Sequence, residues 1–259
     1  MDSNLTLLQH LEQSLKDALN ATREQTMLSG FDMFISKTAE PSMNYAIPKV
    51  AEDWRLAIKE LIEGCMAQGR QPRLEYFHEL YPGLKNALEA AGFVQDMSAP
   101  VMILTATVLS TKKSHIDAEY SILEDKNAML ETFLKRQSLA FGGLGDETSL
   151  SWLDSLKQGL QNGSLSGAAL SQKGEIVSGA IIQGKDDGEL AGVWTLPSKQ
   201  KQGLAYALCQ RLLLDYFAKG QSLCWLSAAE DAQKLYANLG FKVVGTQLNW
   251  ILPADEQQL

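Results

Sequence analysis

A strand gives way to a helix within the stretch Val193-Trp194-Thr195-Leu196-Pro197-Ser198-Lys199-Gln200-Lys201-Gln202-Gly203-Leu204-Ala205-Tyr206. The strand pattern ends at Pro197, because proline lacks the amide that a sheet ladder needs. A polar loop follows, and the small residues Gly203 and Ala205 begin an amphipathic helix. Amides in the first turn of a helix have no helical partner, and the helix dipole favours an anion there. The stretch therefore predicts a site for phosphate or pyrophosphate.

Taken alone, this Gln-x-x-Gly-x-Ala pattern also fits an ordinary helix start. It is not a Walker loop, since no Gly-Lys-Ser/Thr follows, and it lacks the Gly-x-Gly-x-x-Gly of a dinucleotide site. A second motif lies further along the chain, where the strand Leu223–Ser227 precedes Ala232-Gln233-Lys234-Leu235-Tyr236-Ala237-Asn238-Leu239-Gly240-Phe241. The two motifs together are far more specific than either one.

The elements around these motifs follow an α+β order. Upstream, the hydrophobic patterns predict a strand, two helices and then three strands joined by turn-forming residues; the three strands are Leu165–Gln172, Ile176–Gln183 and Glu189–Leu196. The glycine-containing connections between them are typical of hairpins, and a helix over 203–219 follows. We expect a mostly antiparallel mixed sheet flanked by helices.

The first half of the chain mixes helices and strands in a similar way. Apolar residues at three- and four-residue spacing predict a leading helix over 4–28. Pro48 occupies a first-turn position for a second helix that runs to about Gln68, and Arg73–Phe77 is a short strand. The pattern restarts near residue 112, so we expect two domains, 1–112 and 113–259.

Composition excludes several classes of protein. The 259 residues are 45% hydrophobic and 21% charged, which is globular, and the net charge of −8 argues against a nucleic-acid binder. No apolar run is long enough for a membrane span, and the N-terminus lacks a signal peptide, so a cytoplasmic location is expected. Scattered histidines and cysteines without Cys-x-x-Cys spacing give no metal site. Those residues are His10, His78, His115, Cys65, Cys209 and Cys224.

Both motifs resemble those of the GNAT superfamily of acyl-CoA-dependent N-acyltransferases. In that family a strand ending in proline precedes an Arg/Gln-x-x-Gly-x-Gly/Ala turn, and a later helix contains Ala-x-x-Leu-Tyr-x-x-x-Gly-Phe. The resemblance covers residues 115–252. The first half resembles a degenerate copy, because Arg73–Gly92 is similar to the late strand and helix while the Gly-containing loop is missing. The alternative for that half is an unrelated α+β cap.

The resemblance implies that acetyl-CoA is held where two adjacent strands part. The pantetheine arm would pair with the backbone of Val193, Trp194 and Thr195. Six residues would supply pyrophosphate donors: Lys201, Gln202, Gly203, Leu204, Ala205 and Tyr206. Tyr236 would be the general acid that donates to the departing thiolate. Without the family, Tyr236 is more simply a helix residue that packs beside Leu235 and Phe241.

The general base is less clear. A carboxylate on the cofactor strand serves some family members, and Glu189 begins that strand here. It adjoins the turn Asp186-Asp187-Gly188, however, so a solvated turn charge is the simpler explanation. Glu230 is an alternative, but a first-turn acid usually compensates the helix dipole. Cys224 and Ala229 stand where other members have an acidic residue and Asn, so those contacts are absent.

The leading hypothesis is an N-acetyltransferase that moves an acetyl group directly from acetyl-CoA to a primary amine of a small molecule or peptide. No metal, nucleic acid or membrane is implied, and two tandem halves that act as a pseudo-dimer favour a monomer. The rival hypotheses are a non-enzymatic CoA-binding regulatory or interaction module and a transferase of a longer acyl group.

Overall fold

A computed structural model describes residues 3–20, 23–35, 44–110, 112, 116–145, 150–184 and 186–253. It confirms the α+β class, with helices packed against strands that pair mostly in antiparallel fashion. The chain forms two compact units. One contains residues 1–101 together with 244–259, and the other contains residues 102–243.

The first unit is a sheet covered by helices. Its elements are α1 (Ser3–Asn20), β1 (Glu24–Met27), β2 (Phe31–Ile35), β3 (Tyr45–Pro48), α2 (Trp54–Met66), β4 (Arg73–Phe77), α3 (Leu84–Ala90), the first part of β5 (Val94–Thr105) and most of β11 (Lys242–Ile251). The antiparallel pairs are β1 with β2, β2 with β3, and β4 with β11. Between them β3 and β4 run parallel, with α2 as the crossover.

Two helix boundaries of this unit differ from the sequence prediction. The leading helix ends at Asn20 rather than at residue 28, and the last of those residues form β1. Pro48 ends β3 instead of opening α2. Helix α2 begins after Asp53, whose carboxylate accepts hydrogen bonds from the amides of Arg55 and Leu56 at 2.8 and 3.3 Å. A carboxylate cap satisfies these amides, which proline cannot do, and this sets the helix start.

The second unit has its own hydrophobic core. Its elements are β6 (Glu119–Ile122), α4 (Asn127–Ala140), α5 (Leu150–Gln161), β7 (Leu165–Gln172), β8 (Glu175–Gln183), β9 (Asp187–Thr195), α6 (Leu204–Phe217), β10 (Leu223–Ser227) and α7 (Gln233–Leu239). Strands β6 to β9 form an antiparallel meander, and β10 pairs with β9 in parallel. The predicted order of elements is therefore confirmed in this unit.

Helices cover both faces of the strands β7, β8 and β9. Helix α6 packs on β7, β8 and β9, while α4 and α5 pack against the same strands and each other. Gly188 identifies the face of β9 that contacts α6, because a Cβ there would meet the Tyr216 hydroxyl of α6 at 2.8 Å. Side chains alternate along a strand. Gly188 and Leu190 thus face α6, and Glu189 points to the face that carries α4 and α5.

The two compact units divide the chain between Val101 and Met102, within β5. The domain boundary expected near residue 112 stays a prediction. The last residues, 244–259, return to the first unit, where β11 pairs with β4 over five residues from Gln247 to Ile251. Such a pairing joins segments far apart in sequence, so local patterns do not encode it.

Candidate active site

Strands β9 and β10 begin together and then part. They pair over only three residues, from Leu223 with Asp187 to Trp225 with Glu189. At the paired end the Gly188 amide donates to the Tyr216 hydroxyl at 2.7 Å, and that hydroxyl lies 3.1 Å from the Leu223 carbonyl oxygen. Beyond Glu189, β9 continues for six residues to Thr195 without pairing to β10 in the described structure. An opening with a fixed vertex results.

A β-bulge in β9 accounts for this divergence. In the pairing with β8, Gly179 lies opposite Trp194 and Ile181 lies opposite Ala191, so two residues of β9 face the single residue between them. One of the two, Gly192, has a φ of 55°, a conformation that favours glycine. A bulge bends its strand and increases the local twist. Strand β9 therefore turns away from β10 near Gly192.

The N-terminus of α6 follows the end of β9. Lys201 and Gly203 both have left-handed backbone conformations, with φ of 60° and 78°. The helix has no side-chain cap, and a Cβ at Gly203 would meet no atom within 4 Å. In the part of the chain that the structure describes, no backbone acceptor is found for the amides of residues 201–206. Outward amides at a helix N-terminus are a binding site for anions.

The corresponding helix of the first unit has the opposite character. Helix α2 also connects two parallel strands, β3 and β4. Its first amides are already bonded to the Asp53 carboxylate, which supplies the negative charge itself. A phosphate at this position would compete with the carboxylate for the amides of Arg55 and Leu56 and would be repelled by its charge. Anion binding is thus favoured at α6 and disfavoured at α2.

The match to a family model decides the family. The model of the GNAT acetyltransferases matches residues 31–247. The chain belongs to the GNAT acetyltransferase family. No curated protein matches the sequence. Two solved structures with similar folds are GCN5-related N-acetyltransferases, from Kribbella flavida and from Sphaerobacter thermophilus.

These structures show how far the likeness extends. The Kribbella flavida protein is 18% identical with a TM-score of 0.80, and the match covers 96% of this chain and 97% of that one. The Sphaerobacter thermophilus protein is 16% identical with a TM-score of 0.67, covering 92% and 86%. A tandem GNAT protein from the clavulanic acid biosynthesis pathway is 11% identical with a TM-score of 0.56, covering 87% and 79%. At such identities only the fold is shared.

Family membership indicates an acyltransferase that takes its acyl group from a CoA thioester. The opening between β9 and β10 and the free amides of α6 fit such a molecule, which combines an extended arm with a diphosphate. Within the described ranges, no group of three His, Cys, Asp or Glu side chains could hold a metal ion, although His115 lies outside those ranges. No described helix is both long and apolar enough to cross a bilayer.

The pantetheine arm is expected beside Val193, Trp194 and Thr195, which lie on the part of β9 that diverges from β10. The Trp194 carbonyl already accepts a hydrogen bond from Ser178 Oγ at 2.7 Å, and the Thr195 carbonyl accepts one from Gln200 Nε2 at 3.4 Å. A carbonyl oxygen has two lone pairs and can accept a second bond. The Trp194 side chain is buried against Phe133, with ring centroids 5.4 Å apart, so only its backbone can face the opening.

The hydroxyl of Tyr206 donates to Ser110 Oγ at 3.0 Å, which leaves only the Tyr206 amide for an anion. The other five residues expected around the diphosphate form the turn and the first residues of α6. Lys201, Gln202 and Gly203 are exposed, whereas Leu204 is buried in the core. Their contribution would therefore come from main-chain amides, with the Lys201 ammonium as an added charge.

Tyr236 lies on α7, which follows the diverging strand β10. Its ring is 7% exposed and packs edge-on against Phe241, with centroids 5.8 Å apart. Among the described residues no partner is found for its hydroxyl. Burial is the main cause that raises the phenol pKa above its usual value, with smaller contributions from Cys209 and Asp231. Tyr236 therefore stays protonated at neutral pH and is able to donate a hydrogen bond.

Glu189 lies at the last paired position, where the opening begins. Burial raises the pKa of its carboxyl to about 7, although the Gln183 amide, 3.2 Å away, opposes this shift. A carboxyl group whose pKa is near 7 is suited to accept a proton from an ammonium group. Glu230, by contrast, is exposed in a short 3₁₀ turn. Cys224 is fully buried, and burial raises the pKa of its thiol, so it is not a base.

The opening of the first unit is filled by protein. Strands β3 and β4 pair only at Ala46 and Leu74. The small cavity beyond this point is lined by Ile47 and Glu75 of the strands and by Glu12 and Leu15 of α1. The carbonyl at the end of β3, on Pro48, accepts hydrogen bonds from Tyr81 at 2.8 Å and from Lys16 of α1 at 3.5 Å. Helix α1 thus packs against β4 and against the end of β3.

One residue near the opening was not anticipated from the sequence. Gln137 of α4 lies against the bulge, with its Nε2 atom 2.8 Å from the position of a Cβ on Gly192. Its side chain is half-buried. A glutamine on a mixed helix carries no motif, and only the packing of α4 on β9 reveals it.

Proposed function

We propose that the protein is an N-acetyltransferase that transfers the acetyl group of acetyl-CoA directly to a primary amine. The observation that carries this proposal is the opening between β9 and β10 beside an uncapped helix N-terminus. We also propose that the first half is a degenerate copy of the same module, with α1 in the place of a ligand. The parallel β3–α2–β4 unit supports this, since it repeats the order of β9–α6–β10.

Each group of residues around the opening would have a separate role in binding or catalysis. Amides of residues 201–206 would bind the diphosphate, and the backbone of Val193 to Thr195 would align the pantetheine arm. Glu189 would accept a proton from the incoming ammonium, since an amine must be neutral to attack a thioester carbonyl. Tyr236 would donate a hydrogen bond to the sulfur of the leaving thiolate. Acetyl-CoA itself supplies the activated acyl group.

Release of free thiol in a panel of primary amines tests the proposal. We expect turnover with at least one amine, dependent on acetyl-CoA. Tight binding of acetyl-CoA without turnover of any amine would instead favour a CoA-binding regulatory module. A preference for longer acyl-CoA donors in the same assay would show that the transferred group is a longer acyl group and not acetyl.

The pH dependence tests Glu189. If its carboxylate is the base, kcat/KM rises with pH as the group loses its proton near pH 7, and levels off above that. Activity is then lost as the pH falls below this value, because the protonated carboxyl cannot accept a proton. In Glu189→Gln we expect a kcat/KM reduced by roughly tenfold or more at pH 8 and no inflection near pH 7, because kcat/KM then follows the neutral fraction of the amine, which keeps rising through pH 8. An unchanged profile would assign the titration to another group.

The number of bound cofactors tests the role assigned to α1. Titration calorimetry with acetyl-CoA is expected to give one site per chain, because the first unit has an occupied opening and a capped α2. Asp53→Asn keeps a capping oxygen and removes the charge, and it serves as a control that leaves the stoichiometry unchanged. Two equivalent sites in the wild-type protein would contradict the occupied opening.

A further inference from the structure

We propose that the acceptor is a primary amine with an apolar, aromatic or branched aliphatic substituent, which packs on Phe141 beside Gln137 at the end of α4. This inference rests on the proposed function and concerns the second substrate of that site. It follows from three observations: the face from which the amine enters, the position of α4 on that face, and the exposure of apolar side chains at its end.

The amine can approach the opening from only one face of the sheet. Helix α6 covers the other face, where Gly188 lies so close to Tyr216 that a Cβ would collide. Glu189 points away from α6, toward the face that carries α4 and α5. An ammonium group that loses its proton to Glu189 therefore comes from the side of α4.

Helix α4 runs along β9 on this face. Its Phe133 packs on Trp194, and Gln137, one turn further, lies against Gly192. Helix α4 runs antiparallel to β9. Four helical residues advance about 6 Å and two strand residues about 6.6 Å, so each turn of α4 passes about two residues of β9. One more turn brings Phe141 to the level of Glu189 and Leu190. Residues four apart share a helix face, so Gln137 and Phe141 point the same way.

The end of α4 presents apolar surface to solvent. Phe141 is 64% exposed and Leu144 is 84% exposed. Phe141 does not belong to a frayed end, because Gly142 and Gly143 close the helix with hydrogen bonds to the carbonyls of Leu139 and Ser138 at 3.3 and 2.8 Å. This closure is a Schellman motif, with Gly142 at a φ of 86°. An ordered turn thus holds Phe141 outward beside the opening.

The chemistry of the three residues selects the acceptor. Glu189 offers a carboxylate to an ammonium group, and the Gln137 amide, for which no hydrogen bond is found among the described residues, offers a polar contact at the bulge. Phe141 offers a ring to an apolar group about one helical turn away. An amine with a single ammonium and an apolar substituent satisfies all three.

Paired amines test this assignment. The probes are 2-phenylethylamine and ethylamine, which share the amine and differ in the ring. We expect kcat/KM to be roughly tenfold or more higher for 2-phenylethylamine in the wild-type protein, and Phe141→Ser to bring the ratio close to one, mainly through KM. Leu214→Ser is the matched control, since Leu214 is 49% exposed on α6, on the opposite face. It should keep the wild-type ratio.

Equilibrium binding separates a failure of this inference from a failure of the proposed function. Calorimetry with the CoA-loaded protein measures the affinity for each amine whether or not acetyl transfer occurs. Weaker binding of 2-phenylethylamine to Phe141→Ser, by roughly tenfold, supports the apolar subsite even without turnover. Equal affinity of the wild-type protein for both amines, or an unchanged affinity in Phe141→Ser, overturns it.

Discussion

Gly203→Glu is expected to abolish acetyl-CoA binding while the protein stays folded. The new carboxylate would stand among the amides of residues 201–206, where it would repel the diphosphate and bond to the donors itself. Charge-assisted hydrogen bonds contribute about 1.5–3 kcal/mol each, so the loss of two weakens binding by about a hundredfold or more. Titration calorimetry with acetyl-CoA measures the effect, and thermal denaturation verifies the fold.

Gly220→Glu is the matched control for this variant. Gly220 follows the other end of α6, with a φ of 89° and open space where a Cβ would stand, as at Gly203. Both variants introduce the same residue and a similar backbone strain of about 1–2 kcal/mol. Only Gly203→Glu should lose its affinity for acetyl-CoA. Equal affinities for acetyl-CoA in Gly203→Glu and in the wild-type protein would show that α6 does not bind the diphosphate.

Tyr236→Phe is expected to lower kcat by roughly tenfold or more, which corresponds to about 1.4 kcal/mol of transition-state stabilisation. The phenyl ring keeps its packing on Phe241, so the fold and the affinity for acetyl-CoA should change little. The substitution removes the hydroxyl that would donate a hydrogen bond to the leaving sulfur. A phenol whose pKa is raised by burial remains a donor across the neutral range, and its removal should therefore be felt at every pH between 6 and 9.

Tyr120→Phe provides the comparison. The Tyr120 hydroxyl donates to Asp215 at 2.7 Å, and burial raises the pKa of this phenol too, but the residue lies on β6, at the far edge of the meander. Its loss should affect stability more than turnover. If Tyr236→Phe and Tyr120→Phe have the same kcat as the wild-type protein, Tyr236 is a packing residue only.

Much of the second unit could be predicted from the sequence. The strands Leu165–Gln172 and Leu223–Ser227 were predicted with the bounds that the structure has. Alternating apolar residues and glycine turns determine such meander strands locally. The turn from β9 into α6 was equally readable, because Pro197 and Gly203 each impose a particular backbone. The assignment of ligand roles to these residues stays a prediction.

The errors arise where tertiary structure overrides local preference. The leading helix was predicted to continue to the stop at Ser29-Gly30, but Glu24–Met27 form β1 and pair with β2 instead. Pro48 fits a helix start by its φ, yet it is equally tolerated at the end of β3, and Asp53 makes the better cap. Gln137 is beyond prediction for a similar reason, since only the packing of α4 onto the bulge brings it to Gly192.

The return of the C-terminal strand has a consequence for synthesis on the ribosome. Residues 73–77 are synthesised well before their partner, so β4 lacks β11 until residues 247–251 have been translated. The nascent chain carries an unsatisfied strand edge over that interval, and such edges invite association between chains. Premature termination, or a proteolytic cut before residue 244, would damage the segment made first.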